Sequence, residues 1–403
     1  MSSPPSSRNS STLLLVVAYL AFISLGLPDT LVGVAWPFVR DHFTLQQSQL
    51  GWIFAATSTG YCLSSFFTGS FMRRLGVGPL LAASTALVAL AGFGFSSAPV
   101  WALFLLCATC HGLGSGAIDG ALNHHAAAHF PARHMNWLHA CYGIGATFGP
   151  IIMTSMIVGQ GSWRAGYLAV GTLLFLQALL FLTTRRLWGD SASDESHTQG
   201  LSIAATLRHR LVWLHILAFF LYTGLEVVLG QWSFTVLTES RKMPVETAGA
   251  CVTAYWASIA LGRVLFGFIV ERVRVDHLVR GCLLLALAGV GTFAFSTSTA
   301  LSATGLVLAG LGLAPIFPCL MTQTPERLGK ALSFHAIGFQ VSAAMIGAAA
   351  LPGLAGVLAQ HHGLQIIPLT AATLAAVLLI LHTVMTRTRM PSTATEVTAD
   401  QPS

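Results

Sequence analysis

The sequence predicts an all-α membrane protein with twelve transmembrane helices, arranged as two pseudo-symmetric six-helix bundles. Three observations support this fold class: the composition, twelve long apolar segments, and a repeat that relates the two halves of the chain. Hydrophobic residues make up 54% of the 403 residues and charged residues only 8%, whereas a soluble domain carries about 25% charged residues. The bilayer is therefore the main solvent of this chain.

Twelve apolar stretches are long enough to cross a membrane, because a spanning helix needs about 20 apolar residues. We number them spans 1 to 12, and they cover residues 13–39, 50–72, 79–97, 100–126, 136–158, 164–184, 212–236, 247–270, 277–296, 301–321, 332–359 and 364–385. Span 1 exceeds the apolar region of a secretory signal and lacks a small-residue cleavage site, so we expect it to be retained.

A polar, serine-rich and charged segment divides the chain into halves of six spans each. The remaining connections are short, which leaves no room for a large soluble domain. We therefore predict an N-terminal cytoplasmic tail (1–12), an N-terminal bundle (13–184), a cytoplasmic linker (185–211), a C-terminal bundle (212–386) and a disordered cytoplasmic tail (387–403).

The distribution of Lys and Arg predicts the orientation of the chain. If the N-terminus is cytoplasmic, fifteen of the 20 Lys and Arg residues fall on cytoplasmic segments. Arg40, Arg164, Arg241 and Lys242 fall on the opposite side, and Arg263 falls within span 8. Because Lys and Arg are enriched in short cytoplasmic loops, we predict a multi-pass protein of the plasma (inner) membrane with both termini in the cytoplasm.

The two halves repeat each other at three corresponding places. Span 1 contains GLPDTLVGVAW (26–36) and span 7 contains GLEVVLGQW (224–232), so that an acid precedes a glycine by four residues in both. Spans 5 and 11 open with Leu-His-Ala and Phe-His-Ala, and spans 2 and 8 are followed by GSFMRRLG (69–76) and GFIVERVR (267–274). Such repeats place the substrate of a transporter near the bilayer midplane, between the halves.

These segments resemble the major facilitator superfamily over nearly the whole chain. GSFMRRLG is similar to the family's loop motif after span 2, except that Arg73 stands where the family has an acid. The resemblance implies a gating role for this loop and for its counterpart after span 8. The residues concerned are Gly69, Arg73, Arg74, Gly76, Glu271 and Arg272, together with Arg263, which we expect to snorkel or to brace the second loop.

Four longer strings are similar to the sugar–proton symporter branch that includes the fucose permeases. They are GLGSGAIDGALN (112–123), MNWLHACYGIGATFGP (135–150), GLAPIFPCLMTQTPERLG (312–329) and HAIGFQVSAAMIGAAALPGLAG (335–356). The resemblance implies that acids on spans 1 and 4 couple protons and contact the substrate, and Asp29 and Asp119 occupy those spans here.

Only three of the 14 acidic residues lie well inside spans: Asp29, Asp119 and Glu226. An ionised acid at the centre of a spanning helix costs about 2.5–3.5 kcal/mol on insertion scales. Each therefore needs a partner, a water-filled cavity or a proton, and we predict proton-coupling roles, foremost for Asp119. The alternative for Asp29 is that it caps a helix break, which Pro28 and Gly33 favour.

A histidine is predicted to assist Asp119. Spans 4 and 5 form a hairpin, and equal steps back from its loop bring Asp119 level with residues 139–141. His139 is therefore predicted to tune or relay the proton. The alternative is that His139 is a helix-start residue near the lipid headgroups.

Amide and aromatic side chains on the same spans are candidates to bind a hydroxyl-rich solute. Amides form paired hydrogen bonds, and aromatic faces stack on the apolar face of a sugar. The candidates are Trp36, Asn123, Asn136, Tyr142, Tyr222, Gln231, Trp232, His335 and Gln340. Each is alternatively a packing or membrane-boundary residue.

Three strings resemble motifs of other protein classes. CATCH (107–111) spells a haem-attachment pattern and GLGSG (112–116) a dinucleotide loop, but both lie in a spanning helix with no preceding strand. The glycines of GLGSG are better explained by close helix contacts. The GxxxGP pattern GATFGP (145–150) resembles part of a motif of facilitator antiporters and favours drug export, unless Gly145 and Gly149 only allow a bend and close packing.

The sequence therefore predicts a proton symporter that imports a small hydrophilic solute, a monosaccharide, by alternating access. A drug/proton antiporter is the alternative, and a membrane-embedded enzyme is excluded because no HExxH, GxSxG or substantial loop is present. We expect a monomer whose partners are the solute, protons and membrane lipid, with no cofactor or metal. Nucleic acid is excluded because the basic residues stand singly or in pairs. The solute, the coupling ion and the direction of transport stay open.

Overall fold

The computed structural model describes residues 6–129, 132–188, 203–270, 272–296 and 298–388. Side chains are described within these ranges except at 6–12, 127–129, 132–136, 330–331 and 334. Every regular element in this part of the chain is helical. The predicted all-α fold class is therefore confirmed.

Each predicted span has a helical counterpart. The first half contains α1 (Ser6–Asp29), α2 (Leu31–Phe43), α3 (Leu50–Leu75), α4 (Val77–Ser97), α5 (Trp101–His129), α6 (Ala132–Gln160) and α7 (Trp163–Thr184). The second half follows a short helix, α8 (Ile203–Leu207), and contains α9 (Arg210–Thr235), α10 (Val245–Ile269), α11 (Val275–Phe295), α12 (Thr299–Leu313), α13 (Ile316–Leu328), α14 (Lys330–His362) and α15 (Ile366–Arg387). The disordered tail predicted after residue 386 lies almost wholly outside the described residues.

Among the described helices, eleven spans are both long enough and apolar enough to cross a membrane. The twelfth, α3, has 26 residues, but it carries a run of polar residues from Thr57 to Thr59 and another at Ser64 and Ser65. α3 packs against α5 of its own half and α14 of the other half. Ser64 is buried at these contacts, where a polar side chain faces protein and not lipid, and the exposed Thr59 donates its hydroxyl to the Ala55 carbonyl oxygen of its own helix at 2.7 Å.

The packing of the two halves follows the repeat in the sequence. In the first half α3 packs on α5, α4 on α5 and α7, and α1 on α6. In the second half the equivalent contacts are α10 on α12, α11 on α12 and α15, and α9 on α14. Between the halves, α6 meets α10 and α3 meets α14, which are again equivalent pairs. The structure thus shows two similar bundles joined face to face.

Spans 1 and 10 are each broken near the middle. α1 ends at Asp29 and α2 begins at Leu31, after Pro28 has removed one helical N–H. α12 ends at Leu313 and α13 begins after Pro315. A broken spanning helix leaves backbone groups free to bind partners inside the protein.

Glycines bring α1 and α6 into close backbone contact. A Cβ on Gly145 would lie 1.9 Å from the carbonyl oxygen of Ile23, and one on Gly149 would lie 2.1 Å from the hydroxyl of Thr30. Close packing therefore accounts for both glycines of the antiporter-like string. Gly112 of GLGSG has the same role, since its Cβ would lie 1.9 Å from the carbonyl oxygen of Thr57 on α3.

Candidate transport site

The break in span 1 places Asp29 between the two halves. The hydroxyl of Tyr142 on α6 donates to Asp29 Oδ2 at 2.8 Å, and His111 Nε2 on α5 lies 3.6 Å from Oδ1. From the second half, Gln231 Nε2 donates to the Asp29 carbonyl oxygen at 2.9 Å. Asp29 does lie at a helix break, as the alternative interpretation expected. Its carboxylate, however, accepts a hydrogen bond from Tyr142 and is therefore part of a polar site.

Asp119 forms a second polar group on α5. Tyr61 on α3 donates its hydroxyl to Asp119 Oδ2 at 2.6 Å, and Asn123, one turn along α5, donates to Oδ1 at 2.9 Å. His139 on α6 is solvent-exposed and near enough to interact electrostatically with Asp119. The structure therefore joins Asp119 to Asn123 and Tyr61 by hydrogen bonds and places His139 within electrostatic range, and the role of His139 in tuning or relaying the proton stays a prediction.

Glu226 and Arg263 form the polar group of the second half. Arg263 Nη2 on α10 lies 3.5 Å from Glu226 Oε2, and the Tyr222 hydroxyl donates to the same carboxylate. The hydroxyl of Tyr255 donates to the Glu226 carbonyl oxygen at 2.9 Å. The expectation that Arg263 snorkels or braces the loop after span 8 was wrong, because an acid inside the bundle attracts its guanidinium.

The polar groups of the two halves face each other. Arg263 is near enough to Tyr142 and His139 to interact electrostatically with both, and Asp29 is linked to the second half through Gln231. Among the described side chains of this region, three carboxyl groups are matched by one guanidinium. Arg263 offsets Glu226, whereas Asp29 and Asp119 accept hydrogen bonds from tyrosine and asparagine side chains and form no ion pair with a described Lys or Arg.

The two halves are joined at the end of the bundle opposite the linker, which we call the far end. Glu239 after α9 accepts hydrogen bonds from Arg40 at 2.8 Å and Gln47 at 3.1 Å, and Gln360 donates to Gln46 at 2.9 Å. These three hydrogen bonds join the halves at the far end, and the Gln231–Asp29 bond joins them at the polar site. The far end is therefore closed above the polar site.

Several predicted solute-binding residues lie away from this site. Trp36 is buried at the far end, where its indole donates to Gln47 at 3.0 Å. Trp232 is buried against α14 and donates to the Pro352 carbonyl oxygen at 3.0 Å. In this structure both rings serve helix packing, which places them out of reach of a solute.

The other predicted solute-binding residues include some that lie away from the three acids and some that contact them. Gln340 is fully buried between α13 and α14 and accepts a hydrogen bond from Thr324 at 3.1 Å. His335 lies beside the ring of Phe339 near the start of α14. The side chain of Asn136 lies outside the described residues. Of the nine predicted residues, the structure places four in contact with the three acids: Asn123, Tyr142, Tyr222 and Gln231.

The predicted gating residues lie at the linker end of α3 and α10. Gly76 joins α3 to α4 with φ of +80°, a conformation that favours glycine. Arg73 is exposed and bonds Ser70 of its own helix at 3.2 Å, while Arg74 and Arg272 are also exposed. Glu271 lies outside the described residues. An added Cβ on Gly69 would have ample space, since the neighbour found within 4 Å is Arg73 Nη1 at 3.9 Å. Their gating role stays a prediction.

Two residues of the site escaped the sequence analysis. Tyr61 lies 58 positions from Asp119 in the chain, and no local spacing indicates that α3 and α5 are neighbours. His111 belongs to the CATCH string, which was considered only as a haem pattern. Its position eight residues before Asp119 on the same helix was a usable signal, since such residues share a helix face.

The comparison with protein families decides the classification. The sequence model of the Major Facilitator Superfamily matches residues 18–334 and, in a second and overlapping match, residues 214–401. The chain belongs to the major facilitator superfamily. It is therefore a membrane transporter of this family, as the loop motif and the repeat predicted.

Individual relatives are distant. "Bypass of stop codon protein 6" of Saccharomyces cerevisiae is 24% identical over 395 residues, which cover 88% of this facilitator and 78% of the yeast protein. "Glucose/mannose transporter GlcP" of Bacillus subtilis is 22% identical over 315 residues, which cover 75% of this facilitator and 78% of GlcP.

Solved structures share the fold. A variant of the nucleoside transporter NupG superposes with a TM-score of 0.79 at 14% identity, covering 93% of this chain and 99% of NupG. A variant of the Escherichia coli fucose:proton symporter FucP superposes with a TM-score of 0.63 at 18% identity and the same coverage. At these identities the structural likeness establishes the fold alone, and FucP-like neighbours agree with the predicted resemblance.

Proposed function

We propose that this facilitator imports a neutral monosaccharide together with protons. The observation that carries the proposal is the pair of partly exposed carboxylates between the halves, Asp29 and Asp119, each held by one tyrosine hydroxyl. Relatives that are named as a glucose/mannose transporter and a fucose:proton symporter support a sugar as the substrate class.

The coupling follows from the cost of enclosing charge. A carboxylate that loses contact with water must be protonated or fully hydrogen-bonded, because burying an unpaired charge is unfavourable. When the halves close over the site, an ionised Asp119 is left with only two donors, Tyr61 and Asn123. Protonation of Asp119 and hydrogen bonds from sugar hydroxyls both lower this penalty, so closure favours the protein that carries proton and sugar together.

The charge of the site favours a neutral solute over an anion. Asp29 and Asp119 lie in the half without a matching cation, and Arg263 is already engaged by Glu226. Carboxylates and amides are acceptors and donors suited to sugar hydroxyls. An anionic sugar would need a cationic partner in the site, and the Arg263 guanidinium is already paired with Glu226.

The access path follows from the closed far end. Arg40 and Gln47 hold Glu239 above the site, so the proposed route for the solute in this conformation leads toward the linker end. We place the linker and both termini in the cytoplasm of an inner membrane, from the distribution of Lys and Arg. The structure then corresponds to the inward-facing step of alternating access, after import.

The test is proton movement driven by solute in proteoliposomes that contain the purified chain. D-glucose, D-mannose, L-fucose, D-xylose, D-glucuronate and uridine are added in turn while the pH of the medium is recorded. We expect a neutral sugar to alkalinise the medium, and Asp119→Asn to reduce this signal at least about tenfold while sugar exchange is retained. Glu246→Gln is the matched control, since it removes one exposed acid at the start of α10.

Other results would assign a different function. Alkalinisation by D-glucuronate or uridine alone would replace the neutral sugar by that solute class. Proton release in exchange for a lipophilic cation, with no response to sugars, would establish the drug antiporter. Sugar uptake that needs sodium, leaves the pH of the medium unchanged and persists in Asp119→Asn would remove protons from the mechanism.

A further inference from the structure

His111 occupies a position that the proposed mechanism does not use. It lies on α5 and is 7% exposed, and its Nε2 atom is buried without a hydrogen-bond partner. The nearest charged atom is Asp29 Oδ1, at 3.6 Å. The other carboxylate oxygen, Oδ2, already accepts from Tyr142, so Oδ1 is the oxygen that faces the imidazole.

The distance between the two groups can close without repacking of the bundle. A cavity of about 20 Å³ lies directly beside the ring, lined by Pro28, Leu31, Phe95 and Tyr167 among others. A hydrogen bond needs a separation of about 3 Å, so the imidazole has to move by only about 0.6 Å. The cavity leaves the imidazole without close packing on one side, and the carboxylate lies at the helix break that follows Pro28.

Few other titratable groups face this pair. α3 contributes Tyr61, which interacts electrostatically with Asp29, α6 contributes Tyr142 and α7 contributes Tyr167, whereas the residues that α4 presents to the cavity do not titrate. α9 contributes Gln231, which binds only the Asp29 backbone. The next acid is Asp119 on α5, which interacts electrostatically with Asp29 but has its own partners. The pair is thus distinct from the Asp119 group.

We propose that His111 and Asp29 form a second proton-exchange pair, in which His111 accepts and returns the proton that reaches Asp29 from the solvent side. This inference rests on the proposed proton symport and adds a residue to it. The proton moves from Asp29 Oδ1 to His111 Nε2 and back, so no other reactant is needed. A neutral His111 that accepts at Nε2 carries its own proton on Nδ1, so the transfer gives an ionised Asp29 beside an imidazolium, and the return step restores the neutral pair.

The first test is the pH profile of sugar-driven proton uptake, with D-glucose and L-fucose as probes. In His111→Gln we expect the midpoint of the profile to shift by about one pH unit or more, because one proton-binding group is lost. His215→Gln is the matched control: His215 is a fully buried histidine of the second half that touches neither acid. Equal profiles for His111→Gln and the parent protein would overturn the proposal.

The second test needs no solute and separates the inference from the proposed function. The full chain is labelled with ¹⁵N-histidine in lipid nanodiscs, and the His111 signal is identified by its loss in His111→Gln. We expect the Nδ1–H tautomer, which leaves Nε2 free to accept a proton, in the parent protein and a changed tautomer ratio in Asp29→Leu. Asp29→Asn is the milder variant if the leucine variant does not fold.

The signals of His215 and His382 should stay unchanged in these variants, since both lie in the second half. A His111 tautomer that is the same in the parent protein and in the Asp29 variants would overturn the pair, whatever the transported solute. If no sugar is transported but the tautomer responds to Asp29, the proton pair stands and only the proposed substrate is wrong.

Discussion

At the scale of single residues, tyrosine hydroxyls hold the two acids of the first half. Tyr61 binds Asp119 at 2.6 Å and Tyr142 binds Asp29 at 2.8 Å. A hydrogen bond to an ionised group contributes about 1.5–3 kcal/mol. Removing one hydroxyl therefore changes the balance between the ionised and protonated acid without changing the shape of the site.

Tyr61→Phe tests whether Asp119 is the principal coupling acid. We expect sugar-driven proton uptake to fall about tenfold, which corresponds to the loss of about 1.4 kcal/mol from one charged hydrogen bond. Sugar exchange, which needs no net proton movement, should change less. Tyr255→Phe is the control, because its hydroxyl binds a backbone carbonyl and not a carboxylate; an equal loss in both variants would contradict the role of Asp119.

The acids and their local partners were predictable from the sequence, but their distant partners were not. Asp119 and Asn123 are four residues apart on one helix, so their contact follows from helical geometry. The contacts of Tyr61 and His111 with the acids depend on how α3, α1 and α5 are arranged. Trp36 and Trp232 are of a residue type that often stacks on sugars, yet tertiary packing buries both side chains.

At the scale of elements, small residues let the helices of the first half approach each other. The α1–α6 contact holds Tyr142 against Asp29, since a Cβ on Gly26 would lie 2.2 Å from the Tyr142 carbonyl oxygen. The same contact needs Gly145, which faces the backbone of Ile23. The position of the carboxylate thus depends on glycines that take no part in binding.

Gly145→Ala should separate α1 from α6 and destabilise the protein. An added Cβ would lie 1.9 Å from a backbone oxygen, and overpacking of this kind costs about 1–3 kcal/mol. We expect a lower unfolding temperature in a thermal-shift assay in detergent. Gly159→Ala on the same helix is the matched control because nothing lies within 4 Å of its added Cβ. Equal unfolding temperatures would show that α1 can move aside.

Hydropathy predicted the spans better than their interruptions. Long apolar segments need only composition to be recognised, and each of the twelve proved to be helical. The break at Pro315 was not predicted, because residues 301–321 form one apolar run. α3 shows the opposite case: its polar residues weaken the hydropathy signal, yet contacts with α5 and α14 make them acceptable inside the bundle.

At the scale of the whole molecule, a small group of polar residues closes the far end. Glu239 of the second half accepts from Arg40 and Gln47 of the first, and both charged side chains are partly shielded from solvent. Alternating access requires that such contacts break and reform in each cycle. Their free energy therefore sets the ratio of the conformation closed at the far end to the one open there.

Glu239→Gln should shift the protein toward the conformation that is open at the far end. The substitution removes the charge that holds Arg40, and a partly exposed ion pair of this kind contributes about 1 kcal/mol, or roughly a fivefold change in the conformational ratio. The opening is measured by double electron–electron resonance between spin labels at positions 46 and 360, where Gln360 donates to Gln46 across the halves at 2.9 Å. The exposed Cys62 is first replaced by serine. Opening of the far end appears as a population of longer distances between the labels. Asp41→Asn is the control, since Asp41 pairs with Arg40 within the same half and at the surface. If the population of longer label distances appears in Glu239→Gln alone, Glu239 is the residue that keeps the far end closed. If it appears in Asp41→Asn alone, Arg40 orders the end of its own helix and does not join the halves.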